Sequence, residues 1–193
     1  MKHFQGKNLY WLALISATIM LLPDSIRSLL YLNFERVLNG EIWRVISGHV
    51  THLSWTHWLL NMAGIILLQQ LYGKYFSNWH WLAPMIFIMF TVSISLLIFS
   101  EALKWYGGFS GVLIGFFYFA ASKDYRYSKL FNTLVLISIS LYILIQQLSG
   151  ERIVGLTDDL TVAARAHLFG ALAGLLWLFI TKLTNKFTEK NKN

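Results

Sequence analysis

The chain has 193 residues and a formal net charge of +7, with 56% of its residues hydrophobic and 13% charged. A soluble domain is usually about half apolar and about a quarter charged, so this balance assigns the chain to a membrane. The absence of cysteine excludes disulfides, thiolate nucleophiles and zinc-thiolate sites, and the basic residues gather at helix ends without the continuous patch that nucleic acid requires.

Six apolar segments predict helices over residues 9–22, 55–71, 81–99, 110–121, 130–148 and 163–181. The third and fifth are each about 19 residues, near the ~20 that cross a bilayer. The first follows Lys2 and Lys7 as a signal peptide would, but Pro23-Asp24-Ser25 is no small-x-small cleavage site, so it reads as a retained helix. Residues 23–54 form a long loop whose cluster Ile42, Trp43, Val45 and Ile46, set among Glu35, Arg36, Glu41, Arg44 and His49, suits the membrane interface. With the N-terminus inside, ten of the sixteen basic residues fall inside: Lys2, Lys7, Lys74, Lys123, Arg126, Lys129, Lys182, Lys186, Lys190 and Lys192. Seven acidic residues, Asp24, Glu35, Glu41, Glu101, Glu151, Asp158 and Asp159, fall outside, although Lys and Arg carry the orientation signal. The reading is one membrane unit over residues 1–193, all-α, with both termini cytoplasmic.

Polar side chains within spans mark function by default. Measured from Lys123, Lys182 and Lys74 at ~1.5 Å per residue, Ser110, His167 and Asn61 lie about 20, 22 and 20 Å from the inner face. His57 is one turn from Asn61 on the same face and nearer the outside. Ser110 stands in Gly107-Gly108-Phe109-Ser110-Gly111, where glycines permit a sharp loop-to-helix turn and the helix N-terminus offers unpaired N–H groups to an oxyanion. His167 shares a helix face with Gly170, Ala171 and Gly174, and Gly111 with Gly115 forms the matching small-xxx-small pair. Helices that approach so closely bring serine and histidine within the reach that base activation of a hydroxyl needs. A serine that only fills a helix contact, or a histidine that only bonds across helices, is the plain alternative.

These residues resemble the signatures of the rhomboid proteases: GFSG at Gly108 to Gly111, AHLFGALAG at Ala166 to Gly174, the set His52, His57 and Asn61 in THLSWTHWLLNMAG, and Trp43-Arg44 in the loop. The resemblance implies a six-helix rhomboid bundle and a Ser/His dyad without a carboxylate, in line with the lack of Asp or Glu in the fourth and sixth predicted spans. It implies Ser110 as nucleophile, His167 as base, and an oxyanion held by Asn61, His57 and the Ser110 N–H, with His52 structural and no cofactor or metal. The resemblance implies an aromatic residue of the fifth helix packed on the base; Tyr142, about 20 Å above Lys129, has the depth, although aromatic residues line most transmembrane helices and core packing is the commoner role. The compact form, the short length, the run Trp105 to Gly111 and the lack of an added domain look most like the rhombosortase subfamily. That likeness implies a bacterial inner-membrane protease, open to the periplasmic side, for transmembrane proteins ending in Gly-Gly, an apolar helix and a basic tail, with acyl transfer to an amine as an option. Competing readings are an inactive client-binding relative, a small transporter with a polar path, and a metal site on His49, His52 and His57.

Overall fold

The computed structural model describes residues 8–100, 105–148 and 164–190, with side chains to 184. Ala163 of the sixth predicted helix, and Lys2, Lys7, Glu101, Glu151, Asp158, Asp159 and Lys192 of the orientation count, lie outside the described residues. The elements in chain order are α1 (Leu9–Met20), α2 (Asp24–Arg27), β1 (Leu32–Asn33), α3 (Phe34–Leu38), α4 (Arg44–Val50), α5 (Trp55–Tyr72), α6 (Leu82–Phe99), β2 (Trp105–Tyr106), α7 (Ser110–Asp124), α8 (Lys129–Leu148) and α9 (Ala164–Lys190). Two single-turn 3-10 helices, Gly73–Phe76 and Trp79–Trp81, join α5 to α6. By length and apolar composition, three segments among the described residues can cross a membrane: Trp79–Phe99, Lys129–Leu148 and Ala164–Thr184. The chain is an all-α membrane protein whose only strands among the described residues are the two-residue pair β1 and β2.

Several predicted ends move, each for a local reason. α1 stops at Met20 and not at residue 22, because Pro23 disfavours helical backbone in the residue before it. α6 keeps Pro84 in its first turn, where a missing N–H leaves no hydrogen bond unmade. α7 continues past residue 121 to Asp124, whose carboxylate accepts from Tyr75 Oη at 2.7 Å and from Asn132 Nδ2 at 3.2 Å and pairs with Lys74. The fourth helix therefore does carry a carboxylate, at the end remote from Ser110. α8 begins one residue early, at Lys129, and α9 runs nine residues past the predicted end, to Lys190, as a polar helix beyond its apolar stretch.

The segment 23–54 is folded and not merely looped. Asn33 caps α3 by accepting from the Arg36 N–H at 2.8 Å, and Ser54 caps α5 by accepting from the His57 N–H at 3.1 Å. Arg44, 3% exposed, donates to the carbonyls of Ser28 and Tyr31 at 2.9 and 2.8 Å and from Nε to Glu41 at 2.7 Å. One buried guanidinium thus gathers three separate stretches of the segment. Of the apolar cluster read from the sequence, Val45 is buried while Ile42, Trp43 and Ile46 remain exposed.

The core lies along α7, which α5, α6 and α9 surround; Val112, Phe116 and Ala120 on α7 pack with Ile65, Leu68, Ile88 and Val92. α8 sits at the margin and buries only Asn132, Ile143 and Gln146.

Candidate functional site

Ser110 is fixed by the turn before it. Leu32 and Tyr106 pair across the antiparallel ladder, and the Gly108 N–H donates to the Gly48 carbonyl at 3.0 Å. Tyr106 Oη donates to the Gly108 carbonyl at 2.9 Å, and the Phe109 N–H donates to His52 Nε2 at 3.4 Å. Gly108 has φ of +143°, and a Cβ there would strike the His57 ring, so both the backbone and the space demand glycine. The chain then enters α7 at Ser110, whose N–H belongs to the open first turn.

α9 delivers His167 by direct backbone contact with α7. A Cβ on Gly170 would overlap the Gly111 carbonyl, and one on Gly174 the Gly115 carbonyl; a Cβ on Gly111 would lie 2.9 Å from the Ala166 oxygen. His167 Nε2 consequently stands 2.8 Å from Ser110 Oγ. On its other side, Nδ1 is 2.5 Å from Oε1 of Gln146, an α8 residue 2% exposed. An amide oxygen can only accept, so the proton is on Nδ1, and Nε2 is left to accept from the serine hydroxyl.

Asn61 and His57 sit on successive turns of α5, both buried. Asn61 Nδ2 donates to the His57 carbonyl at 2.9 Å, while Asn61 Oδ1 and His57 Nε2 have no partner among the described residues. Buried polar atoms left unpaired cost about 1–3 kcal/mol each, so two at one place mark a spot suited to a polar guest. Both residues line, with Ser110 and His167, a cavity of about 600 Å³ between α5, α7 and α8, whose walls are mostly apolar, among them Leu60, Leu67, Phe117 and Leu134, with Ser138 and Tyr142 adding hydroxyls.

His52 lies behind this group. Its Nδ1 donates at 3.2 Å to Ser16 Oγ, which in turn donates to the Val50 carbonyl at 3.1 Å, so α1 and the 51–54 segment are joined through it. Burial, with His57 alongside, holds the His52 pKa down to about 3. A neutral ring is what its two roles require, one nitrogen donating and the other accepting. His49 turns the opposite way, its Nε2 3.0 Å from the Met89 carbonyl and 2.9 Å from Ser93 Oγ. His49, His52 and His57 therefore do not converge as ligands of one ion would.

Tyr142 is not a core residue: it is 45% exposed on the cavity wall, with its ring centroid 5.6 Å from that of His167. The sequence reading does not single out Gln146. A signal is present, since Gln146 lies one turn from Tyr142 on the same helix face, an amide at the end of an apolar run.

Fold and site define a helical membrane protein in which serine and histidine meet at the wall of an apolar cavity. The family model of the rhomboid domain matches residues 39–183, and the chain belongs to the rhomboid family. Members of that family are intramembrane serine proteases that act on transmembrane substrates. No curated protein matches the chain.

Proposed function

We propose that the chain is an intramembrane serine protease in which Ser110 is the nucleophile and His167 the general base. The observation that carries this reading is the 2.8 Å contact of Ser110 Oγ with His167 Nε2 beside a cavity that also holds the unpartnered Asn61 and His57 atoms. Ser110 Oγ attacks the scissile carbonyl as its proton passes to Nε2. The oxyanion is held by the Ser110 N–H, the second N–H of Asn61 Nδ2 and His57 in its Nε2–H form. The imidazolium returns the proton to the leaving amine, and water, activated by the same ring, releases the acyl group.

All six long helices, α1 and α5 to α9, cross the membrane on this reading, with the Lys74 and Lys123 end cytoplasmic and the Ser110 end toward the periplasm of a bacterial inner membrane. The cavity between α5 and α8 receives an unwound stretch of a substrate helix. Likeness of the run Trp105 to Gly111 to rhombosortases favours substrates with a C-terminal Gly-Gly, an apolar helix and a basic tail, and admits an amine in place of water at the second step.

The test is cleavage of a reporter carrying such a C-terminal signal, in membranes containing the native chain, Ser110→Ala or His167→Ala. Cleavage by the native chain alone, with both variants inserted and folded, is the expected result. If the reporter stays intact while Ser110 reacts with a fluorophosphonate, the protease survives and the substrate class falls; if neither occurs, the reading falls to that of a client-binding relative without catalysis.

A further inference from the structure

We propose that Gln146 is a positioning residue for the base: its Oε1 takes the Nδ1–H of His167 and holds the ring in the tautomer and direction that Ser110 requires. The proposal rests on the protease reading above and adds a third member to the pair, supplied by a different helix.

Three observations carry it. The contact is short, 2.5 Å, and Gln146 is 2% exposed. Second, α8 buries only three side chains, two of them amides; Asn132 is paired with Tyr72 and Asp124, whereas Gln146 stands where leucine or methionine would pack without desolvating polar atoms. Gln146 Nε2 makes no hydrogen bond among the described residues, so the acceptor oxygen is the half of the amide that is used. Third, no other acceptor among the described residues reaches Nδ1. The titratable groups facing the ring are His57 from α5, Ser110 from α7 and Tyr142 from α8; α6 carries none, and Arg165, on the same helix, is exposed.

The chemistry follows from the atoms. When Ser110 gives its proton to Nε2, the ring becomes a cation with both nitrogens protonated, and Nδ1–H then donates more strongly to the amide oxygen than the neutral ring did. The interaction is therefore stronger after proton transfer than before it, which is the condition for accelerating the step. The amide stays neutral throughout, and its oxygen cannot take the proton. Rotating the amide would instead present Nε2–H to Nδ1 and stabilise the tautomer that cannot accept from serine, so the side chain's orientation selects between a competent and an incompetent base.

The experiment measures the rate at which a fluorophosphonate labels Ser110 as a function of pH, in detergent, for the native chain, Gln146→Met, Gln146→Glu, Gln147→Met and Ser110→Ala. Gln147 donates to the Ala164 carbonyl at 2.8 Å, so its variant loosens the same α8–α9 contact without touching the base. Gln146→Met is expected to label on the order of 10- to 100-fold more slowly at saturating probe with the half-saturating concentration unchanged, and its acid limb to move to lower pH. Gln146→Glu is expected to regain most of the rate, with the acid limb moved to higher pH, while Gln147→Met keeps the native limb. Opposite shifts of the limb do not arise from a packing defect. Native labelling and an unshifted limb in Gln146→Met would overturn the proposal and leave the protease reading standing, as would equal losses in both glutamine variants with equal falls in melting temperature. If the native chain labels no faster than Ser110→Ala, the protease reading fails and the proposal fails with it.

Discussion

Gly170→Ala separates close helix packing from every other contribution to the site. The added methyl would overlap the Gly111 carbonyl, and ordinary contact is restored only if α7 and α9 part by on the order of 1 Å. Overpacking of this kind costs about 1–3 kcal/mol. Ser110 adjoins Gly111, and His167 is three residues, about one turn, before Gly170, so the displacement falls on the 2.8 Å contact between them. Lengthened by the same amount, that contact leaves hydrogen-bonding range, and a misplacement of about 1 Å costs roughly 10²-fold in rate. Gly40→Ala is the comparison. A Cβ there meets nothing within 4 Å, but φ is +100°, so the variant loses about 1 kcal/mol through backbone strain without moving either helix. Fluorophosphonate labelling and melting temperature in detergent then distinguish the two: Gly170→Ala loses both, Gly40→Ala only a few degrees. Labelling of Gly170→Ala within threefold of native, at an unchanged melting temperature, would refute the packing argument.

Further outcomes follow from the loop and from the far end of the bundle. Arg44→Ala strands the Ser28 and Tyr31 carbonyls, leaves Glu41 to Arg36 and solvent, and is expected to destabilise by about 2–4 kcal/mol, read as a lower melting temperature and faster proteolysis within residues 23–54. The pKa values of His49 and His52 are held down to about 4 and 3 by burial, below the ~6.5 of the unfolded chain. The unfolded state therefore binds the extra protons, so this stability is complete above about pH 6.5 and drains away as pH falls toward 4 and 3. The slope is up to about 1.4 kcal/mol per pH unit for each ring. Melting curves from pH 7 to 4 should show that decline, and His52→Asn should flatten it. Asp124→Ala removes the acceptor shared by Tyr75, Asn132 and Lys74 and is expected to cost about 2–4 kcal/mol, measured by thermal unfolding, with the labelling rate of Ser110 near native in the remaining folded protein.

Apolar runs, helical spacing and depth counting made much of the fold and the Ser110–His167 approach legible, because close helix contact writes itself into sequence as glycine at fixed intervals. Helix ends were less legible. Charge marks the end of α7 near Lys123, yet Asp124 is satisfied by groups from two other elements, Lys74 and Tyr75 of the 3-10 turn after α5 and Asn132 of α8, and no local rule reveals such partners. The fold of residues 23–54 depends on Arg44 reaching Ser28 and Tyr31, contacts thirteen and sixteen residues apart. Gln146 escaped for a different reason. Asn61 is equally an amide, but it stands one turn from His57 in a recognisable set, whereas the importance of Gln146 comes from which nitrogen of which ring it meets.

The proposed base also comes well after the proposed nucleophile. His167 is 57 residues beyond Ser110, on the last of the long helices among the described residues. At translation rates of about 5–20 residues per second, roughly 3–11 s separate the synthesis of Ser110 from that of His167. Through that interval the newly made serine sits in the membrane as an ordinary alcohol, among other nascent helices it could otherwise cut. On the proposed chemistry, reactivity appears only when α9 docks on α7, so completing the fold is itself the step that switches the chemistry on.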